Sequence, residues 1–253
     1  VAGRADDRQR DVSALPPFPG AIGMSHLRVY ASVGPDGLAG GTPHVHTTCT
    51  EAYAVVAGEG VVQTLSGDGY GETPLLPGTL AWFTPGTIHR LINVSGDLEI
   101  VVLMANAGLP EAGDMVIAFP PEVLDDADAY AAAATLEGDE ATTEGSGTAA
   151  QARRDLGVTG FLALRDAEQV GNREPLARFW AQAATLVRPR LDVWRQRFDE
   201  GPVAEVERTR HHLDALAAGD ASHLHASAIH RLDPPGPVRR MGCCGTLGTY
   251  VVG

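Results

Sequence analysis

The chain has 253 residues, 44% of them hydrophobic, enough for a substantial core in one or two domains. Its formal net charge of -13 argues against nucleic-acid binding and against docking on anionic membranes. All 19 basic side chains are arginine, which removes Schiff-base and lysine general-base chemistry. Cys49, Cys243 and Cys244 are an odd set with two members adjacent, so no disulfide framework is expected and a reducing, cytoplasmic setting fits best. The first twenty residues carry charges and prolines without an apolar signal-peptide core, and no apolar run is long enough to span a bilayer.

In chain order, residues 1–25 read as a polar, proline-bearing arm. From residue 26 to 108 the pattern is strand after strand, each stopped by Gly, Pro, Asp or Asn. The predicted strands are His26–Val33, Thr42–Thr47, Glu51–Ala57, Gly60–Ser66, Tyr70–Leu76, Thr79–Phe83, Ile88–Val94 and Leu98–Met104. Ser66-Gly67-Asp68-Gly69 and Ser95-Gly96-Asp97 both read as hairpin turns. So many short strands in so short a span predict a small antiparallel barrel or jelly roll. Residues 109–134 carry a short helical segment, from Pro120 to the alanines ending at Ala134. Residues 135–152 are rich in Glu, Gly, Ser and Thr and read as a flexible linker. Residues 153–253 are expected to be a helical extension ending in a short strand at Gly248–Gly253, with one more strand at Phe161–Leu164. Leu176, Phe179, Trp180, Ala183, Val187, Leu191, Trp194 and Phe198 follow helical spacing, with Pro189 forcing a kink or two helices and Asn172 placed to cap the start. Gly201-Pro202 is read as the end of that helix and the opening of another that runs to Ala218, stopped by Gly219.

Two stretches within the strand-rich segment carry the chemistry. His44-x-His46 and Glu51 lie in the first, and His89 lies in the second, after a Pro-Gly turn. Side chains two apart in a strand share a face, so His44 and His46 can face one interior. The turn Thr47–Thr50 then returns Glu51 at the start of the next strand. Three imidazoles and a carboxylate suit one divalent transition metal (Fe, Mn, Zn or Ni, with copper also compatible with imidazole) and leave coordination positions open. A lone H-x-H is more often an ordinary pair of histidines; here three such elements share one strand-rich segment.

The same stretches resemble the paired motifs of the cupin superfamily. In the first motif, four residues separate His46 from Glu51 and six separate Glu51 from Gly58. In the second, Gly78, Gly86, His89 and Asn93 keep the family spacing. The chain departs at two turn positions: Thr84 stands where the motif proline falls, with Pro85 one place late, and Leu38 stands at the leading glycine position beside Gly37. The resemblance implies a mainly β fold, a cupin-type jelly-roll barrel over 26–108 with the metal near one mouth, joined to an α-helical C-terminal extension on which the resemblance is silent. It implies Tyr53 and Val55 in phase with Glu51, Leu91 and Asn93 in phase with His89, and Arg90 pointing away. Tyr53, Gln63 and Trp82 are candidate wall or catalytic residues, although Tyr53 and Trp82 serve equally well as barrel filling. A homodimer and a small-molecule substrate or ligand are the implied partners.

Three functional classes remain open: an iron-dependent dioxygenase, placed first; a sugar or oxo-acid isomerase, epimerase or decarboxylase; and a non-catalytic small-ligand-binding module. His211-His212 on a helix point about 100° apart and are poor joint ligands. His223-Leu224-His225 with His230 lacks a following Glu and is read as a rim or subunit contact. Cys243-Cys244 is read as a plain tail. No Walker loop, dinucleotide fingerprint or G-x-S-x-G motif is present.

Overall fold

The computed structural model describes residues 15–250; most of the expected N-terminal arm, residues 1–14, and the end of the expected final strand, residues 251–253, lie outside the described residues. The strands of the front half are β1 Gly23–Val29, β2 His44–His46, β3 Glu51–Ala57, β4 Gly60–Ser66, β5 Gly69–Leu75, β6 Leu80–Phe83, β7 Ile88–Asn93, β8 Glu99–Met104 and β9 Met115–Ile117. The helices are α1 Pro121–Leu124, α2 Ala127–Ala134, α3 Thr148–Gln169, α4 Glu174–Val187, α5 Leu191–Phe198 and α6 Ala204–Ala217, followed by strands β10 Arg240–Met241 and β11 Gly245–Tyr250.

Two antiparallel sheets form the jelly-roll barrel, one ordered β10-β11-β1-β8-β3-β6 and the other β5-β4-β7-β2-β9. Alternation on β3 buries Glu51, Tyr53 and Val55 together, and Tyr53 and Val55 join Ile100, Val102, Val62 and Leu91 in one core. The barrel is β and the extension α, so over the described residues more positions are helical than extended. Among the described residues, no helix is long and apolar enough to cross a membrane.

Several turns position the site. Ser66 pairs with Gly69 across a two-residue loop, as the hairpin signal requires. Ser95-Gly96-Asp97 is not a hairpin: β7 and β8 belong to different sheets. The Asn93 side chain makes this corner. Its Oδ1 accepts from the N–H groups of Gly96 (2.9 Å) and Leu98 (3.2 Å), and its Nδ2 donates across to the Val29 carbonyl (3.0 Å). The displaced proline at position 85 also has a local reason. Thr87 N donates to Thr84 O (3.3 Å) and Gly86 has φ of 92°, so Pro85-Gly86 fill the central positions of a turn that takes Pro then Gly. Gly86 N in turn donates to His46 O at 2.9 Å, which ties this turn to a candidate ligand strand.

The back half departs further from expectation. Phe161–Leu164 is helical, inside α3, not a strand. The buried positions of α3 are Ala150, Arg153, Arg154, Gly157, Val158, Gly160, Phe161 and Leu164, a full helical stripe in which two arginines and two glycines hide the apolar period. Those arginines clamp the extension to the barrel. Arg154 donates to Ser32 O (2.8 Å) and Val33 O (2.9 Å), and Arg153 to Ala134 O (3.1 Å) and Gly242 O (2.7 Å). Gly160 permits the close approach, because a Cβ there would lie 2.2 Å from Ala118 O.

Residues 135–152 are also built rather than free. Glu140 accepts from Ser146 N (2.8 Å) and Ala149 N (3.3 Å), a side chain on local backbone, and Thr143 N donates to the distant Arg239 O (2.9 Å). The Pro120–Ala134 helix is two helices, because Asp126 caps the second by accepting from Asp128 N (2.9 Å) and Ala129 N (3.0 Å). Pro189 does separate α4 from α5 through a short 3-10 turn, and Asn172 Oδ1 accepts from Glu174 N at 3.2 Å near the start of α4. Gly201-Pro202 does not end the helix; a π-helical turn over Asp199–Val203 carries it into α6, and Gly219 follows with φ of 73°. The α4–α5 face lies on barrel loops: Trp180 Nε1 donates to Gly86 O (2.9 Å) and Trp194 Nε1 to Ala112 O (3.0 Å).

Candidate metal centre

His44 and His46 occupy β2, and His89 on β7 is the cross-strand partner of His44. Glu51 opens β3 in the opposite sheet, so the three imidazoles come from one sheet and the carboxylate from the other. All four side chains are buried, and one ligand atom from each lies within 4.8 Å of every other. His44 Nε2 is 3.1 Å from His89 Nε2. Glu51 Oε2 is 3.1 Å from His89 Nε2 and 3.3 Å from His46 Nε2.

The outer nitrogens determine what the inner ones present. His44 Nδ1 donates to Thr42 O (2.9 Å), and His89 Nδ1 donates to Thr87 O (3.1 Å). A carbonyl oxygen can only accept, so in the neutral rings the Nε2 lone pairs face each other. His46 Nδ1 lies 3.3 Å from Asp114 Oδ2, a third acceptor outside the cluster. Glu51 Oε2 is buried and, among the described residues, takes no hydrogen bond from outside the cluster. Three Nε2 atoms gathered around a buried carboxylate oxygen are a group that could hold a metal ion, and three imidazoles with one carboxylate fit a divalent transition metal.

Burial, with the neighbouring His89 and His46, holds His44 well below its ordinary value. Burial opposes charge on His46, but Asp114 and Glu51 outweigh it and bring that ring to about 9. Burial would raise Glu51, yet His89 and His46 hold it well below the usual carboxylate range.

The three candidate wall residues separate. Tyr53 is fully buried on the ligand face, edge-on to Phe83 with ring centroids 5.2 Å apart, and its hydroxyl has no hydrogen-bond partner among the described residues. Burial pushes this hydroxyl well above its ordinary value, with Glu51 and Cys244 adding to the shift. Gln63 pairs in register with Arg90, while Thr64 pairs with His89, so Gln63 lies on the opposite face and donates to Glu72 at 2.9 Å. Trp82 pairs with Ala52 rather than Glu51 and is 68% exposed, so it is not a wall of the centre. Phe83, which pairs with Glu51, takes that place, its ring 4.1 Å from that of His89. Arg90 points away, as strand alternation requires, and is fully buried against Asp36.

Sequence reasoning misses Asp114, whose one signal is an isolated acid before the apolar triplet Met115–Ile117. It also reads Cys244 as part of a plain tail. The turn between β10 and β11 is pinned inside the barrel, with Thr42 N donating to Cys243 O (2.9 Å) and Gly41 leaving room where a Cβ would be 2.5 Å from the Cys244 Cα. His212 stacks on His223 with centroids 4.4 Å apart, and neither belongs to the metal-ligating group; His211, His225 and His230 are exposed.

Residues 30–106 match the family described as Cupin domain. No curated protein matches the chain. Among solved structures, the chain is similar to an uncharacterized conserved protein with a double-stranded beta-helix domain from Klebsiella pneumoniae, at 22% identity and a TM-score of 0.25, covering 33% of this chain and 64% of that one. It is similar to a predicted oxalate decarboxylase from Thermotoga maritima, at 20% identity and a TM-score of 0.27, covering 32% and 64%. A TDP-quinovose 3,4-ketoisomerase from Campylobacter jejuni gives 12% identity and a TM-score of 0.28, covering 32% and 60%. The chain thus spans less than two thirds of each of these proteins.

Proposed function

We propose, for a chain whose residues 30–106 are a cupin domain, that it is a metal-dependent enzyme acting on a small oxygenated molecule, with dioxygenase chemistry as the leading reading. The observation that carries the metal is the gathering of His44, His46 and His89 Nε2 with the buried Glu51 Oε2 within 4.8 Å of one another. When bound, a divalent transition metal supplies Lewis acidity and, as iron, electron transfer to dioxygen.

The chain's own residues do the rest. His44, His46, Glu51 and His89 hold the ion from both sheets. Tyr53 keeps its proton and offers an unspent O–H donor that can orient a substrate oxygen. Phe83, Val55 and Val102 make the surroundings apolar and exclude water. Tyr53, Cys243 and Cys244, on all of which the Glu51 charge acts, are pushed above their ordinary values, first by burial, and so keep their protons. This supports a role in binding and orientation over proton shuttling by a separate base, and so puts the dioxygenase ahead of the isomerase, epimerase or decarboxylase reading.

Elemental analysis with an oxygen electrode separates the classes. Stoichiometric iron and oxygen uptake with substrate are expected; manganese or zinc without uptake would favour the isomerase or decarboxylase class, and metal without any turnover would leave a binding module. The chain is further proposed to act as a homodimer in the cytoplasm. Support comes from Leu80 and Trp82, 60% and 68% exposed on the edge strand β6, and from three free, buried thiols. A sedimenting monomer at micromolar concentration would contradict the dimer.

A further inference from the structure

Asp114 lies beyond the matched span, immediately before β9, and is fully buried. Its Oδ1 accepts from Thr47 N (3.0 Å), Thr47 Oγ1 (2.6 Å), Thr48 N (2.8 Å) and Thr48 Oγ1 (2.7 Å). Its Oδ2 accepts from Cys49 N (3.0 Å) and faces His46 Nδ1 at 3.3 Å. Its main-chain carbonyl takes Thr47 N (3.2 Å) and Thr47 Oγ1 (3.1 Å) as well.

These donors share one property. Apart from the His46 ring, all come from the turn that joins β2 to β3, which is the turn separating His46 from Glu51. One carboxylate therefore grips a candidate ligand and the backbone that delivers the next one. His44 and His89 are oriented by neutral carbonyls, each two residues earlier and just before the ligand's own strand. His46 alone is oriented by a full negative charge brought from a distant part of the chain. A carboxylate on the outer nitrogen fixes the ring and makes its inner nitrogen a stronger donor to a metal.

We propose that Asp114 is a positioning residue of the metal centre: it holds His46 with Nε2 inward and braces the Thr47–Cys49 turn so that Glu51 completes the donor set. The inference rests on the metal-centre reading above. It also means that the centre is completed by a residue from outside the segment that carries the family motifs. The bracing is not a generic cap, because a cap would need one or two of these bonds and would leave the imidazole free.

The test is a cobalt(II) titration of the metal-free full chain, read by visible d–d absorption, for wild type, Asp114→Asn, His46→Gln and the double variant. Asp114→Asn is expected to weaken cobalt binding by about 10- to 100-fold and to alter the bands. In the His46→Gln background the same substitution should cost clearly less affinity than in the wild type, because the part of its effect that passes through His46 is already lost while the bracing of Glu51 remains. Cobalt affinity and spectrum unchanged in Asp114→Asn, or a loss that is fully additive with His46→Gln, would overturn the proposal. If Asp114→Asn does not fold, Asp114→Glu keeps the charge with one more methylene; altered bands and weaker binding are expected, and a wild-type titration overturns the role. Wild-type protein that takes up no cobalt removes the metal centre itself, whereas equal uptake by wild type and variant removes the role of Asp114 alone.

Discussion

With His46 and Glu51 both replaced by Ala, added metal no longer raises the stability of the fold. In the wild type, a metal present at about 100 times its dissociation constant stabilises the native state by about 2.7 kcal/mol, since only the folded chain brings the four donors together. For a chain of this length that corresponds to roughly 5 to 10 °C in Tm. The double variant loses one imidazole from β2 and the carboxylate from β3, leaving His44 and His89, two donors from one sheet. Its metal-dependent rise should be near zero. Comparing each protein with and without metal removes the cost of the empty space left in the core. A rise of the same size in the double variant would mean that the ion binds elsewhere.

Asp36→Ala should destabilise the protein by about 3–5 kcal/mol, on the order of 10 °C in Tm. Arg90 sits between His89 and Leu91 on β7 with no exposed surface, and its guanidinium reaches Asp36 through Nη1–Oδ2 (2.5 Å) and Nη2–Oδ1 (3.2 Å). Its Nε donates to Gly41 O at 3.3 Å. Removing the carboxylate leaves a buried cation with one remaining acceptor, and that unpaired charge sets the size of the effect. The pH dependence has a definite sign. Burial would raise the Asp36 carboxyl, but its bonds and charge pairing with Arg90 hold it below the usual range. Its contribution is present in full above the unfolded carboxyl value, about 3.9, and is lost as pH falls through the lower folded value. The gap between wild type and Asp36→Ala should therefore be constant near neutrality and narrow below about pH 4. Urea unfolding at a series of pH values measures it; a gap under about 1 kcal/mol at neutral pH would show that Arg90 finds other partners.

The barrel was legible in sequence because its strands obey a period of two and end at Gly, Pro, Asp or Asn. Glu51–Ala57 and Gly60–Ser66 are strands with the boundaries those signals predict. The donor set was legible for the same reason: alternation and cross-strand register carry His44, His46 and His89 to one face. What failed is where burial is not apolar. In α3 the inward stripe includes Arg153, Arg154, Gly157 and Gly160, so Phe161–Leu164 alone shows an apolar run, and a run that short does not separate helix from strand. Residues 135–152 have the composition of a linker, yet Glu140 and Thr143 bond local and distant backbone. Gln63 and Trp82 were misplaced because the phase of a strand is known only once its partner is: the pairings Thr64 with His89 and Phe83 with Glu51 set it. Asp114 was invisible because its partners lie more than sixty residues earlier, and nothing local marks an acid as an acceptor for five turn donors and an imidazole.

The central claim is that His44, His46, Glu51 and His89 hold one transition-metal ion. Elemental analysis of the purified full chain, beside the His46→Ala/Glu51→Ala variant, tests it most directly. One iron, manganese, zinc or nickel ion per wild-type chain, absent from the variant, is the expected result. Equal metal content in the two proteins would contradict the assignment.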